Sequence, residues 1–234
     1  AAATHWLATA TAQAVLERGG NAFDAAVAGG FVLQVVEPHL NGPGGDLVGL
    51  FHAADDASPR VLMGQGPAPQ RATIEHFRAE GLDTVPGAGA LAAAVPGAVD
   101  AWLMLLRDYG TWELSDILAY AIGYARDGHP ILASAAATIE RVAQLFRDEW
   151  PSSADLWLPG GVAPRAGDLV RNPALATVFE RLADAGRNTA DRGERIEAAR
   201  SEWKTGLVAQ AMAAFVARPH RHSTGGQHAG VIAE

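Results

Sequence analysis

The sequence predicts a mixed α and β fold in which helices dominate after residue 70. Of its 234 residues, 49% are hydrophobic and 19% are charged, which is typical of a globular protein with a buried core. Segments 47–53 and 60–66 are short and β-compatible, and a turn sequence separates them. Beyond them, apolar residues recur at helical spacing between glycine and proline breaks. We expect residues 1–234 to form a single domain.

Two helices open the chain. Residues 4–18 carry apolar side chains at mostly helical spacing, and a glycine pair supplies the stop. Asn21 then precedes a second helix, apolar nearly all round, which Pro38 ends. A helix without a polar face is a buried helix. We expect Asp24 to stabilise its amino end through its charge and its side-chain acceptor.

A β-hairpin and a series of helices follow. The sequence DDASP between the two β-compatible segments is a turn, and their poor period-two pattern favours a sheet covered on both faces. We expect Ser115 to be a helix N-cap and residues 151–168 to form a loop. The predicted helices span residues 73–81, 98–110, 115–128, 133–150, 172–186 and 191–217.

Charge and residue usage exclude several classes of partner. The net charge of −8 repels phosphate and no run of basic residues offsets it, so we expect no nucleic-acid partner. The absence of cysteine excludes disulfides and thiolate metal sites. No apolar stretch reaches the ~18 residues of a membrane span, and we expect no signal peptide in these residues. Because residue 1 is not Met, we expect the true start to lie upstream, and the compartment stays open between a slightly favoured cytoplasm and the periplasm or secretion.

The most distinctive segment is EPHLNGPGGD, residues 37–46, which we call the glycine loop and which joins the buried helix to the first strand. Glycine lets backbone N–H groups approach a ligand, as oxyanion holes and anion nests require, so the loop is a candidate active-site segment. The alternative is a tight corner whose glycines only relieve steric crowding. It is neither a Walker loop nor a dinucleotide fingerprint. Within it, His39 is either a base or binding donor, or a side chain hydrogen-bonded to loop backbone.

Histidines cluster near the end of the chain, at His220, His222 and His228. A metal site is one interpretation, but no carboxylate lies nearby in sequence before Glu234, and the local Gly, Ser and Pro content is typical of a solvated loop. We therefore expect no metal ion and no cofactor. The nucleophile motifs G-x-S-x-G and S-x-x-K are both missing, so a serine nucleophile within this chain has little support.

Three ordered motifs near the start carry a resemblance to a known family. They are GGNAFDAAVA at 19–28, VVEPH at 35–39 and NGPGG at 41–45. Later segments agree, namely VPG at 95–97, AIGYARDG at 121–128 and the glycine pair at 225–226 before an apolar run. Together they resemble the large subunit of the gamma-glutamyltranspeptidase family over nearly the whole chain.

The resemblance implies an α+β fold, the αββα sandwich of the amino-terminal-nucleophile hydrolases. In this family a precursor cuts itself, and the new amino-terminal threonine of the small subunit attacks a gamma-glutamyl amide, giving an acyl-enzyme that passes to water or to an amine. This chain would be a partial, helix-rich large subunit that the small subunit completes, with no catalytic residue of its own. A small-molecule amide is the implied substrate, and a dimer of heterodimers is compatible with the resemblance.

One departure from the family concerns the substrate. Family members carry Arg-Glu-Thr-Ala-Pro after the second strand, and its arginine holds the substrate α-carboxylate. Here Gln65 stands in that place, and Asp46 replaces a glycine of the glycine loop. A neutral amide does not offset a carboxylate's charge. We therefore expect an amidohydrolase or acylase whose substrate is not a simple gamma-glutamyl compound such as glutathione.

The expected site follows from these matches. The hairpin should leave Gln65 at a strand end that faces the pocket, close to the glycine loop. The residues expected to bind substrate are Gln65, Asn41, Gly44, Gly45, Asp46 and His39. A catalytically inactive binding protein that kept the fold is one alternative, and a plain helical interaction domain is another.

Overall fold

In the computed structural model, residues 1–222 and 225–233 are described, and helices make up most of them. The helices in this part of the chain are α1 (Trp6–Glu17), α2 (Ala22–Val36), α3 (Ile74–Ala79), α4 (Ala98–Tyr109), α5 (Leu114–Asp127), α6 (Ala133–Glu149), α7 (Pro151–Trp157), α8 (Pro173–Asp184), α9 (Arg192–Thr205) and α10 (Leu207–Val216). The strands form antiparallel pairs, β1 (Leu47–Phe51) with β2 (Arg60–Gly64), β3 (His129–Pro130) with β4 (Leu169–Val170), and β5 (His220–Arg221) with β6 (Gln227–His228).

The main hydrophobic core surrounds α2, as the apolar sequence of this helix predicts. Val27, Phe31 and Val32 are fully buried, and α1, α4 and α5 all pack against the helix. Phe31 also meets Phe179 of α8 edge to face, with ring centroids 5.4 Å apart. The predicted burial of this helix is confirmed.

Asp24 anchors the amino end of α2 more extensively than a helix cap requires. As predicted, its side chain accepts a hydrogen bond at this helix end, where it completes a capping box with Asn21, and it is fully buried. Its carboxylate also accepts hydrogen bonds from the backbone N–H groups of Thr111 (2.8 Å) and Trp112 (3.1 Å) and from the Thr111 hydroxyl (2.7 Å). Although burial alone raises the pKa of this carboxyl, the hydrogen bonds from Thr111, Asn21 and Trp112 hold it below its ordinary value. Asp24 thus joins α2 to the loop between α4 and α5.

The β1–β2 hairpin exposes one apolar face. Its register pairs Leu47 with Gly64 and Phe51 with Arg60, and Leu62 on the inner face is only 5% exposed. The outer face carries large apolar side chains that are more than half exposed, namely Val48 (57%), Leu50 (74%), Val61 (60%) and Met63 (61%). The predicted hairpin is confirmed, but residues 1–222 and 225–233 cover only one of its two faces.

A second, smaller core lies between α6 and the segment that follows it. Ile131, Ile139 and Leu158 are buried together there. The sequence predicts a loop over 151–168, whereas the structure forms α7 in its first half, and this expectation is wrong. Pro151 occupies the first turn of α7, where its missing N–H costs nothing and its fixed φ favours a helix.

Two helix boundaries also differ from the sequence expectation. The predicted helix over 191–217 is divided into α9 and α10, because Gly206 adopts an extended conformation (φ −91°, ψ −147°) that interrupts it. The N-cap of α5 is Glu113 rather than Ser115. Glu113 has an extended conformation (φ −68°, ψ 146°), and its side chain pairs with Arg195 of α9, whose Nη2 lies 2.8 Å from the Glu113 Oε1. Among the described helices, none combines the length and apolarity that a bilayer crossing requires.

Candidate active site

The glycine loop is tied to the first turn of α4. The Gly45 carbonyl oxygen accepts hydrogen bonds from the backbone N–H groups of Gly97 (3.2 Å) and Ala98 (3.1 Å). No side chain caps this helix, so the loop carbonyl satisfies N–H groups that would otherwise lack a partner. The amino end of α4 therefore fixes the position of the glycine loop.

Gln65 lies at a close crossing of two backbone segments, with one glycine on each side of it, Gly66 and Gly97. Gly66 has φ +73°, and a Cβ placed there would lie 1.8 Å from the Val95 carbonyl oxygen. A Cβ on Gly97 would lie 2.4 Å from the Gly64 carbonyl oxygen. Larger residues at these positions would push the end of β2 away from residues 95–97. The glycines thus determine where Gln65 lies.

A cavity of about 740 Å³ opens at this crossing. Gln65 and Met63 from the hairpin line it, together with Met104 of α4, Trp203 of α9 and Met212 of α10. Its charged lining residues, within the described part of the chain, are Asp100 and Lys204. The cavity has the volume of a small-molecule binding site.

The six predicted site residues divide into two groups, of which the first lies near the end of the hairpin and comprises Gln65, Asp46, Gly44 and Gly45. Asp46 precedes Leu47, which pairs with Gly64, so Asp46 and Gln65 lie at the same end of the hairpin. Gly44 and Gly45 are exposed in the same turn.

The other two residues lie at the start of the glycine loop, and of all six predicted residues Gln65 alone is among the described residues that line the cavity. The Asn41 backbone N–H donates to the Glu37 carbonyl oxygen at 3.1 Å. The His39 Nε2 lies 3.3 Å from the Ser134 Oγ at the start of α6, a side-chain partner rather than the loop backbone. The substrate-binding role of all six residues remains a prediction.

The glycines of the loop are only partly explained by this chain. Gly42 and Gly44 do not have positive φ, and a Cβ added at either would meet no atom within 4 Å. Steric crowding within the described residues therefore does not require glycine at these positions. A Cβ on Gly45 would lie 3.2 Å from the Gly42 carbonyl oxygen, so crowding applies only there.

An ionic network that sequence reasoning missed borders the cavity. Arg200 donates to both oxygens of Asp100, at 2.7 and 3.2 Å, and the Lys204 Nζ lies 3.1 Å from the Asp100 Oδ1. Burial raises the pKa of Asp100, but the hydrogen bonds and charges of Arg200 and Lys204 outweigh it and lower this pKa overall. One signal was available in the sequence, because Lys204 is its single lysine.

The histidines near the end of the chain do not form the expected solvated loop. His222 is 5% exposed and stacks on His228, with ring centroids 5.2 Å apart. The His228 Nδ1 lies 2.9 Å from the Oε2 of Glu80, which follows α3. The fold thus supplies a carboxylate that the local sequence lacks. Even so, no group of three or more candidate metal ligands occurs among residues 1–222 and 225–233.

Comparison with known proteins gives consistent matches. A sequence model of the gamma-glutamyltranspeptidase family matches residues 8–232. The oxamate amidohydrolase proenzyme of Klebsiella pneumoniae is 37% identical over 204 residues, which cover 84% of this chain and 38% of that protein. The solved structure of LmbA2991T421A has a TM-score of 0.93 at 54% identity, covering 97% of this chain and 39% of that chain. The gamma-glutamyltranspeptidase of Helicobacter pylori has a TM-score of 0.80 at 30% identity, covering 100% and 61%.

These matches confirm the predicted fold class. The chain follows the backbone of a solved gamma-glutamyltranspeptidase along its length, so its α+β fold is that of the amino-terminal-nucleophile hydrolases. It spans 38% of the amidohydrolase relative and 39% of the LmbA2991T421A chain. The family match over residues 8–232, joined to this shared fold, shows that the chain belongs to the gamma-glutamyltranspeptidase family.

Proposed function

We propose that this chain is the large-subunit region of a self-processing amide hydrolase or acyltransferase. In this proposal the amino-terminal threonine of a small subunit attacks the amide carbonyl, with its own α-amine as general base. The acyl-enzyme then passes to water or to an amine. This chain contributes the wall of the substrate pocket and no catalytic group.

The position of Gln65 is the observation that carries the proposed substrate class. It lines the cavity at the end of β2, where the family resemblance expects an arginine. Losing a charge-assisted, two-point contact to a carboxylate costs a few kcal/mol, or about a hundredfold in affinity. The substrate is therefore an amide other than a simple gamma-glutamyl compound. One relative is named for oxamate, which is not a gamma-glutamyl compound.

Two features support the partner and the role of the glycine loop. Val48, Leu50 and Val61 on the outer face of the hairpin are exposed and do not line the cavity, as expected of an apolar surface that a small subunit covers. The glycines at 42 and 44 are not required by packing or by positive φ. Close approach of a ligand or of the small subunit accounts for them.

The test is made on the full-length protein. Mass spectrometry of the purified protein should find two chains, the second beginning with threonine. Its kcat/KM is then compared for the p-nitroanilides of gamma-glutamate, of an uncharged acyl group and of acyl groups with a differently placed carboxylate. We expect slower cleavage of the gamma-glutamyl compound than of at least one other.

A matched pair of variants tests Gln65 itself. Gln65→Arg should raise kcat/KM for the gamma-glutamyl anilide by about tenfold or more, because it restores the bidentate donor. Gln70→Arg adds the same charge on the exposed segment after the cavity and should leave this value unchanged. A wild-type preference for the gamma-glutamyl compound would overturn the substrate class, and an unprocessed protein without amidase activity would favour an inactive binding protein.

A further inference from the structure

The cavity beside Gln65 carries a cation from a distant part of the chain. Lys204, in the last turn of α9, lines it, and no arginine occurs among its described lining residues. Lys204 is also the single lysine among 234 residues, whereas the other basic side chains counted with it are arginines. The one lysine side chain of this sequence therefore lies at the cavity.

Asp100 does not depend on Lys204 for its counter-charge. Arg200 already binds it through two hydrogen bonds, at 2.7 and 3.2 Å. Glu197, the other acceptor of Arg200, is also bound by Arg107 at 2.6 Å. The Lys204 ammonium has three N–H donors, of which Asp100 takes one, and its side chain is 48% exposed. Lys204 thus has donors for a further anionic group, while Asp100 holds it in place.

The rest of the cavity wall is mainly apolar. All three methionines of the chain line it, and Trp203 and Ile232 complete this part of the wall. Methionine side chains adapt to ligands of different shape. A volume of about 740 Å³ exceeds what a short, fully polar acyl group fills. The wall fits a ligand with an apolar body and one anionic end.

We propose that Lys204 binds the carboxylate of an acyl donor whose apolar chain lies among the methionines of this cavity. The substrate class is then a monoamide of a dicarboxylic acid with an apolar spacer. Binding of the carboxylate comes from α9 rather than from the position of Gln65, which donates only a neutral hydrogen bond. The inference rests on the proposed amide hydrolysis and refines its substrate.

The kinetic test uses the full-length, processed protein and two substrates that share the same acyl chain and anilide, one with an anionic end and one with a neutral end. They are the mono-p-nitroanilide of suberic acid and the methyl ester of the same compound. Lys204→Met should raise KM for the acid by about tenfold or more and leave kcat/KM for the ester within about twofold. Lys204→Arg should retain most of the affinity for the acid. Arg181→Met, which removes a similarly exposed cation outside the cavity (53% against 48%), should leave kcat/KM for both substrates within about twofold.

A binding test without turnover keeps this inference separable from the proposed function. Suberate should protect Lys204 of the wild-type protein against an amine-acylating reagent, with the modified peptide quantified by mass spectrometry, and suberic diamide should not. If suberate protects Lys204 but no anilide is cleaved, the result would support the Lys204 site and contradict the proposed function. Equal effects of Lys204→Met on acid and ester, or absent protection, would overturn the Lys204 site even if the anilides are cleaved.

Discussion

Replacing Asp24 by asparagine tests whether this carboxylate stabilises the main hydrophobic core around α2. Four donors converge on it, the backbone N–H groups of Asn21, Thr111 and Trp112 and the Thr111 hydroxyl, at 2.7 to 3.1 Å. Asparagine keeps one oxygen, and an NH2 group takes the place of the other. With the NH2 group at the Oδ2 position, the Thr111 hydroxyl can rotate to accept from it, whereas the Asn21 N–H loses its acceptor. A buried donor left without an acceptor costs about 1–3 kcal/mol, so Asp24→Asn should destabilise the protein by about that amount.

Thermal and urea unfolding of the full-length protein measure this loss. Asp116→Asn is the matched control, because Asp116 lies in the first turn of α5 but is exposed, and it should change stability by less than about 0.5 kcal/mol. The pKa of Asp24 is lowered from 3.8, so its contribution is complete at neutral pH and is lost only as pH falls below that value. A loss under about 1 kcal/mol at neutral pH would refute the reasoning.

Two further predictions concern the site glycines and the buried histidines. Gly66→Ala should destabilise the protein by about 3 kcal/mol or more, because the new Cβ would lie 1.8 Å from the Val95 carbonyl oxygen and the backbone has φ +73° there. Gly44→Ala should change the free energy of unfolding by less than about 0.5 kcal/mol. Equal unfolding midpoints for the two variants would contradict this prediction. Burial lowers the pKa of His5 and of His129 below 6.5, so the unfolded chain binds more protons and stability should fall as pH drops through and below that value. An unfolding midpoint that is flat between about pH 7 and 5 would count against this second prediction.

Local sequence predicted the elements whose stabilising interactions are local. The apolar run of α2, its capping residue Asn21 and the turn between β1 and β2 all act within a few residues, and these elements form where expected. The errors have more than one source. Pro151 in the first turn of α7 and Gly206 between α9 and α10 are local features. By contrast, Glu113, the N-cap of α5, pairs with Arg195 across 82 residues, a contact that no local pattern reports.

The candidate site shows the same division. The motifs at residues 19–45 identified the family, and the hairpin register brings Asp46 and Gln65 to one end. That Lys204 is the single lysine is visible in the sequence, but its place in the same cavity is not, because packing of α9 against α4 brings it there. His39 faces α6 rather than this cavity, which also depends on how the helices pack.

The sequence by itself determined the family, the buried character of α2 and the absence of an arginine at position 65, since each is written in residue identity and short-range order. Only the tertiary structure decided which residues share the cavity beside Gln65. Asp100 and Lys204 are 104 positions apart in the sequence, yet the Lys204 Nζ lies 3.1 Å from the Asp100 Oδ1. Such a contact depends on the packing of whole helices, which burial of apolar surface determines collectively rather than residue by residue.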